Sequence, residues 1–340
     1  MGKTTITDIA RRAGVSTATV DRALNSRAGV SAANRQRVLQ AAQALGYLPF
    51  EGMVPLPSRP AHLEFFIPFL NAGFMGEMAA SIRSFAAGLP LVASCSIRQI
   101  DGFGPEALLP ALEGLSLRTS GVGLVTVDHP KTRLAIRRLC EAGVRVITIA
   151  SDVLATPRSA YVGVDNVVAG RTAALLMGRL AGAVQGSVGL FLGSRAYHGH
   201  QGREQGFRAL LEHDFPHLTL LPAVETGEDN ARSHTAAEAL LRSTPDLVGL
   251  YCIGAGRTGI VQALQEARGT RPFVIMHDLT NSTRTWLAED LIDVVIDQNA
   301  RLVGEQAVIR LLGAIASSAP LLALKDIEPR ILLRENVPLR

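Results

Sequence analysis

Between Ile6 and Leu24 the chain reads ITDIARRAGVSTATVDRAL, a stretch that leaves its own fold little freedom. Ile6, Ile9, Ala10 and Ala13 recur at i, i+3, i+4 and i+7, which draws one narrow apolar stripe along a short first helix. Thr5 with Asp8 three residues on is a capping-box pattern, and Gly14 supplies the left-handed backbone that stops the helix. Ser16 then caps a second helix from Thr17 to about Asn25. On it Val20 and Leu24, with Ala23 beside them, face inward, and Thr17, Ala18, Asp21 and Arg22 face outward. A third helix follows, capped by Ser31 and stopped by Gly46, with Val38, Leu39, Ala42 and Leu45 inside and Arg35 and Arg37 outside. Two helices joined this tightly make a helix-turn-helix.

The outward face suits a major groove. Arg22 has the planar fork that pairs with guanine, Thr17 can reach a base edge or phosphate, and the Ala18 methyl fits a thymine methyl. Thr5, Ser16, Thr19 and Asn25 complete the set of residues expected at DNA. Charge agrees independently. Residues 1–50 carry seven Lys/Arg against Asp8 and Asp21, a net of +5, while the remaining 27 basic and 28 acidic residues sum to −1. The chain's whole +4 therefore comes from its head, which is the electrostatic footprint of a phosphate-backbone binder. A solvated helical bundle without nucleic acid is the plainer alternative.

The run TDIARRAGVSTATVDRALN, with VSAANRQRVLQAAQALGYLP after it, resembles the DNA-binding head of the LacI family of transcription repressors over residues 4–49. The family usually has serine where this chain has Asp21. A carboxylate there repels phosphate or turns to a cytosine amino group. Residues 50–60 are a proline-rich linker. The resemblance places Leu56 where the family's hinge helix wedges into the minor groove. Pro55 and Pro57 forbid a regular helix through that position.

At 340 residues the chain has room for the head and two further lobes, and 47% hydrophobic with 19% charged residues is the composition of a packed globular protein. Cys95, Cys140 and Cys252 are odd in number, far apart and set in apolar surroundings, so buried free thiols are expected rather than disulfides or metal ligands. The first residues lack the apolar stretch of a signal peptide. Leu311 to Leu324, uncharged but holding Ser317, Ser318 and Pro320, is too short to span a membrane. The expectation is a soluble cytoplasmic protein with no membrane partner.

Past the linker, short apolar runs alternate with helical patterns from His62–Pro68 to Val294–Asp297, a rhythm that means an α/β fold with doubly wound parallel sheets. The count suits two sheets. The order of landmarks over 61–340 resembles the type I periplasmic sugar-binding fold that forms the LacI-family core. That resemblance implies three passages between lobes, placed near 162, 292 and 323. The N-lobe would then hold 61–162 and 292–323, and the C-lobe 163–291 and 324–340. A ligand in the crevice at the carboxyl ends of the strands would close the lobes about a hinge.

Polar residues follow several strands, and an aspartate in such a place is as readily a helix cap. The resemblance picks out Asp152, Arg203, Asp278 and Gln298 as groups that bond ligand hydroxyls, and Phe74 as an aromatic against a ring face. Carboxylates, a guanidinium and an amide together suit a sugar, sugar alcohol or related metabolite. Two departures argue against ribose: Val153 stands where sugar binders commonly have arginine, and Cys252, Ile253 and Gly254 stand where many members have Asn-Asp.

Three patterns compete with this reading. Gly254, Gly256 and Gly259 in GAGRTG match a dinucleotide fingerprint, with Asp278 at about the expected distance, but on a late strand. A glycine-rich crevice wall is the simpler account. His198 with His200, and His213 with His217, have metal-like spacing but no cysteine or acidic third ligand at the usual spacing, and Glu106 with Glu113 reads as an exposed helix face. His198 is placed at the crevice mouth. No Gly-x-Ser-x-Gly elbow occurs. The expectation is a ligand-responsive transcription repressor, a homodimer or tetramer on a pseudo-palindromic DNA operator, with no metal, cofactor or catalytic residues. The competing class is a small-molecule enzyme or solute-binding protein whose basic head is incidental.

Overall fold

The computed structural model describes residues 5–24, 29–45, 60–70, 73–182, 185–316 and 326–338. Asn25, Gly46 and the linker up to residue 59, Leu56 included, lie outside them.

The head is three helices: α1 (Ile6–Ala13), α2 (Thr17–Leu24) and α3 (Ala32–Ala44). Thr5 Oγ1 accepts the Asp8 amide, and the Asp8 carboxylate accepts the Thr5 amide at 3.0 Å and its hydroxyl at 2.6 Å. Gly14 ends α1 at φ 64°, which only a residue without Cβ adopts without strain. Ser16 Oγ accepts the Thr19 amide at 3.2 Å to start α2, and Ser31 Oγ accepts the Asn34 amide to start α3. Ile9, Ala10, Ala13, Val20, Ala23, Val38, Ala41 and Ala42 form one buried cluster, against which Leu24 and Leu45 pack half-buried.

The core opens with β1 (Ala61–Pro68), α4 (Gly73–Ala87), β2 (Val92–Ile100), α5 (Pro105–Glu113), β3 (Gly121–Leu124), α6 (Pro130–Glu141), β4 (Arg145–Ile149) and β5 (Ala160–Val162). These strands make a wholly parallel sheet in the order β2-β1-β3-β4-β5. The second lobe follows as α7 (Asn166–Leu180), β6 (Gly186–Leu192), α8 (His198–Asp214), β7 (Leu218–Leu220), β8 (Val224–Glu225), α9 (Asn230–Ser243), β9 (Leu247–Cys252) and α10 (Arg257–Glu266). It continues with β10 (Phe273–His277), α11 (Asn281–Ala288) and β11 (Val294–Asp297); then come α12 (Ala300–Ala316) and β12 (Arg330–Leu332). Its sheet runs β12-β11-β10-β9-β6-β7, with β8 beside β6 and β12 antiparallel at the edge. β3 and β6 are buried along their whole length, as strands covered by helices on both faces must be.

Each sheet reverses its winding once, between β1 and β3 in the first and between β6 and β9 in the second, and such switch points are where doubly wound sheets open a crevice. The chain leaves the first lobe between Val162 and Asn166. It returns after Asp297, not near 292, because β11 pairs with β10 through Ile275 and Val294 and with β12 through Ile296 and Ile331. Among the described residues after β11, α12 goes back, packing on α4 where Ser81 Oγ donates to the Arg301 carbonyl at 2.8 Å. The passage expected near 323 lies outside the described residues.

The two helices that set the floor of the second lobe approach unusually closely. A Cβ on Gly170 of α7 would stand 2.1 Å from the Arg203 carbonyl, and one on Gly206 of α8 would stand 2.2 Å from the Val167 carbonyl. Bare backbone at both places lets α8 lie against α7 and holds Arg203 in a buried position.

Candidate functional site

Two surfaces carry chemistry. On the head, Thr17, Ala18 and Arg22 are exposed along α2 while Val20 and Ala23 are buried beneath them. Thr5 and Ser16 are exposed, but their hydroxyls serve the helix caps, and half-buried Thr19 holds its hydroxyl 2.9 Å from that of Ser16.

The second surface is a cavity of about 1000 Å³ between the lobes, at the carboxyl ends of both sheets. Phe74, Arg203, Asp278 and Gln298 line it; Asp152 does not. That aspartate accepts hydrogen bonds from Thr148 Oγ1 at 2.6 Å and the Val153 amide at 2.8 Å, and it forms a two-point ion pair with Arg158. Burial opposes its charge, yet Arg158 and Thr148 outweigh burial and hold its carboxyl below the usual range. The side chain is spent on structure, so its expected ligand role is corrected. His198 is not in the lining either, and His200 two residues on takes that place.

The lining also holds Glu228, Arg257, His200 and Trp286, none of them expected from sequence as ligand groups. Arg203 Nε donates to Asn166 Oδ1 at 2.8 Å and Nη1 to the Ile253 carbonyl at 3.1 Å, which aims the guanidinium from α8 toward the crevice floor. Asp278 accepts from Gln298 Nε2 at 2.7 Å and stands 3.6 Å from Arg257 Nη1. Burial pushes the Asp278 carboxyl up despite Arg257 and Arg203. Glu228 accepts the Ala255 amide on Oε2 at 2.6 Å, while its buried Oε1 has no hydrogen-bond partner. Burial also pushes this carboxyl up, against the Ala255 amide and Arg257. His200, 3.9 Å from Glu228 Oε1, is pushed down to about 3 by burial and Arg203 and stays neutral.

Backbone strain gathers at the same place. Phe69, Ala150, Glu228, Asp278 and Asn299 follow strand ends at positive φ, and such conformations cluster at ligand sites because surrounding structure must hold them.

The glycine-rich loop after β9 has a structural purpose. A Cβ on Gly256 would stand 2.1 Å from Ser233 Oγ, and one on Gly259 would stand 1.9 Å from the Asn230 carbonyl, so these glycines let α10 pack on α9. The Ala255 amide, which a pyrophosphate would need, is taken by Glu228.

A second hollow of about 910 Å³ lies at the amino ends of the second lobe's strands. Four of its charged groups pair within it, Arg271 with Asp293 and Arg242 with Glu238, and Glu266 is taken by His234 outside it. The cysteines are free, Cys252 buried and Cys95 and Cys140 half-buried, and burial raises all three thiols, Cys95 to about 11. Among the described residues no cluster of three or more His, Cys, Asp or Glu could hold a metal, and no helix is long and apolar enough to cross a membrane.

The profile described as "Periplasmic binding protein domain" matches residues 64–317. The chain belongs to that family. Its head, residues 5–49, matches "Bacterial regulatory proteins, lacI family". A curated relative, the HTH-type transcriptional regulator DegA of Bacillus subtilis, is 24% identical over 62% of this chain, and the chain spans about 61% of that relative's length. Among solved structures, a solute-binding protein of Burkholderia graminis in complex with D-arabinose superposes with TM-score 0.73 at 21% identity, covering 82% of this chain and 96% of that one. GanP, a glucose-galactose binding protein from Geobacillus stearothermophilus, does so with TM-score 0.73 at 18% identity, covering 83% and 100%. These likenesses confirm the bilobed fold: a lacI-family head on a periplasmic-binding-protein core.

Proposed function

We propose that this chain is a metabolite-responsive DNA-binding regulator of transcription, a repressor and not an enzyme, acting as a homodimer in the cytoplasm. Two heads would read the halves of a pseudo-palindromic operator through Thr17, Ala18 and Arg22. A small hydroxylated metabolite in the crevice would change lobe geometry and so the spacing of the heads.

The observation that carries this reading is the orientation of α2: its base-reading side chains are exposed and its apolar ones are buried in the head's own core. That head is joined to a two-lobed core whose crevice collects Arg203, Asp278 and Gln298. The D-arabinose held by the Burkholderia graminis protein supports a sugar-like occupant.

Gel-shift titration of the full chain against the DNA upstream of its own gene tests the proposal. The expected result is a specific complex whose affinity falls steeply with salt. Absent or salt-independent binding would leave the competing solute-binding or enzyme reading in its place.

A further inference from the structure

The crevice holds acceptors that nothing among the described residues satisfies. Glu228 Oε1 and Gln298 Oε1 are both buried without a hydrogen-bond partner, and both residues line the cavity. Gln298 is 3% exposed and spends its amide nitrogen on Asp278. A buried acceptor left open costs more than a bond made, and a buried charged one costs most.

The cations nearby are engaged elsewhere. Arg257 is taken by the His277 carbonyl and Asp278, and Arg203 by Asn166 and the Ile253 carbonyl. Among the described residues no arginine or lysine nitrogen comes within 4.0 Å of the Glu228 carboxylate, and its one basic neighbour, His200, is neutral. Glu77, on α4 at the rim of the first lobe, adds a further acid to the lining. Gly193 and Gly254 lie against Glu228, where Cβ atoms would stand 1.5 and 2.7 Å from Oε1, so the carboxylate sits over bare backbone and has no room to turn aside.

The charged side chains of the lining are three acids, Glu77, Glu228 and Asp278, against two cations, Arg203 and Arg257, so an anionic occupant is the less favoured. A hydroxyl would satisfy Glu228 Oε1 but bring no charge to a carboxylate that Arg257 and Arg203 reach only through space. A protonated amine does both, through a charge-assisted bond about twice as strong as a neutral one. We infer that the crevice selects a hydroxylated metabolite bearing a primary amine, an amino sugar or amino alditol, whose ammonium pairs with Glu228 while its hydroxyls reach Gln298 and Arg203. This deepens the proposed function and rests on its placing of the ligand in this crevice.

The test uses the full-length protein and three matched sets: D-glucosamine, D-glucose and D-glucose 6-phosphate; D-galactosamine, D-galactose and D-galactose 6-phosphate; and 1-amino-1-deoxysorbitol, sorbitol and sorbitol 6-phosphate. Trp286 is the chain's one tryptophan and lines the cavity, so its fluorescence reports occupancy alongside the thermal shift. The expected result is that in a responding set the amine binds at least about tenfold more tightly than the hydroxyl member. Glu228→Gln should lose about 10- to 100-fold for the amine and stay within about threefold for the hydroxyl compound. Tightest binding by a hydroxyl or phosphate member, equal loss for amine and hydroxyl in Glu228→Gln, or no response to any set each overturns the inference. A gel shift on the same preparation separates these outcomes from failure of the regulator reading, because operator binding survives them.

Discussion

The rings of Phe103 and Tyr197 meet across the crevice with centroids 5.4 Å apart and planes tilted by 44°. Phe103 follows β2 in the first lobe, and Tyr197 precedes α8 in the second. Beside them the Asp128 amide donates to the Ala196 carbonyl at 3.2 Å, and the Gly199 amide donates to Ser151 Oγ at 3.3 Å. The loop before α8 and the first turn of α8 are thus stitched to three places on the first lobe. Phe103→Ala should remove about 0.5–1.5 kcal/mol of this contact beyond the area lost. Small-angle scattering should then show a larger radius of gyration, and an unchanged profile would show that the ring pair does not hold the lobes.

Asp152→Asn is expected to behave as a stability variant. It breaks a pair in which Asp152 is 11% and Arg158 24% exposed, at a cost of about 3 kcal/mol. Urea denaturation should register that loss, while the Trp286 response to crevice ligands persists in the folded protein. A variant of normal stability that no longer responds to ligand would instead place Asp152 at the site.

Stability should fall as the medium is acidified below about pH 6.5. His200 is held down to about 3 and His277 well below its ordinary value, chiefly by burial, so the unfolded chain binds their protons first. Their contribution is fully present above the unfolded histidine value and is lost as pH drops toward the folded ones, at up to about 1.4 kcal/mol per pH unit for each group. Glu228 and Asp278, pushed up by burial, act in the opposite sense and favour the fold as they take up protons. Calorimetry from pH 7 to 5 should find a shallower decline in His200→Gln than in the parent chain. An identical slope would contradict the buried, neutral imidazole.

Arg22→Ala should leave the head folded, since Arg22 is exposed and its helix is seated by Val20 and Ala23. Operator affinity is expected to fall by about 1–3 kcal/mol, with a smaller loss on unrelated DNA. Equal losses on both would assign Arg22 to phosphate rather than to a base.

The head was legible almost residue by residue, because short helices answer to local rules. Thr5, Gly14, Ser16 and Ser31 act on backbone groups three or four residues away, and the spacing of Ile9, Ala13 and Val20 alone says which face is inside. The alternation of strands and helices likewise determined two sheets, one parallel throughout and one parallel but for its edge strand β12. The edges of that plan were not legible: β11 belongs to the second sheet because of its pairing with β10 and β12, and pairing between strands distant in sequence leaves no periodic trace. The crevice depended most on the fold. Asp152 looked like a ligand group, but Arg158, six residues later, claims it. Glu228 gave no signal as one acid in a loop, and it acquires meaning only where Gly193, Gly254 and the Ala255 amide converge from other strand ends to hold it. Local sequence sets backbone caps and faces, whereas the partner of a buried charge is decided by which distant segments the two sheets bring together.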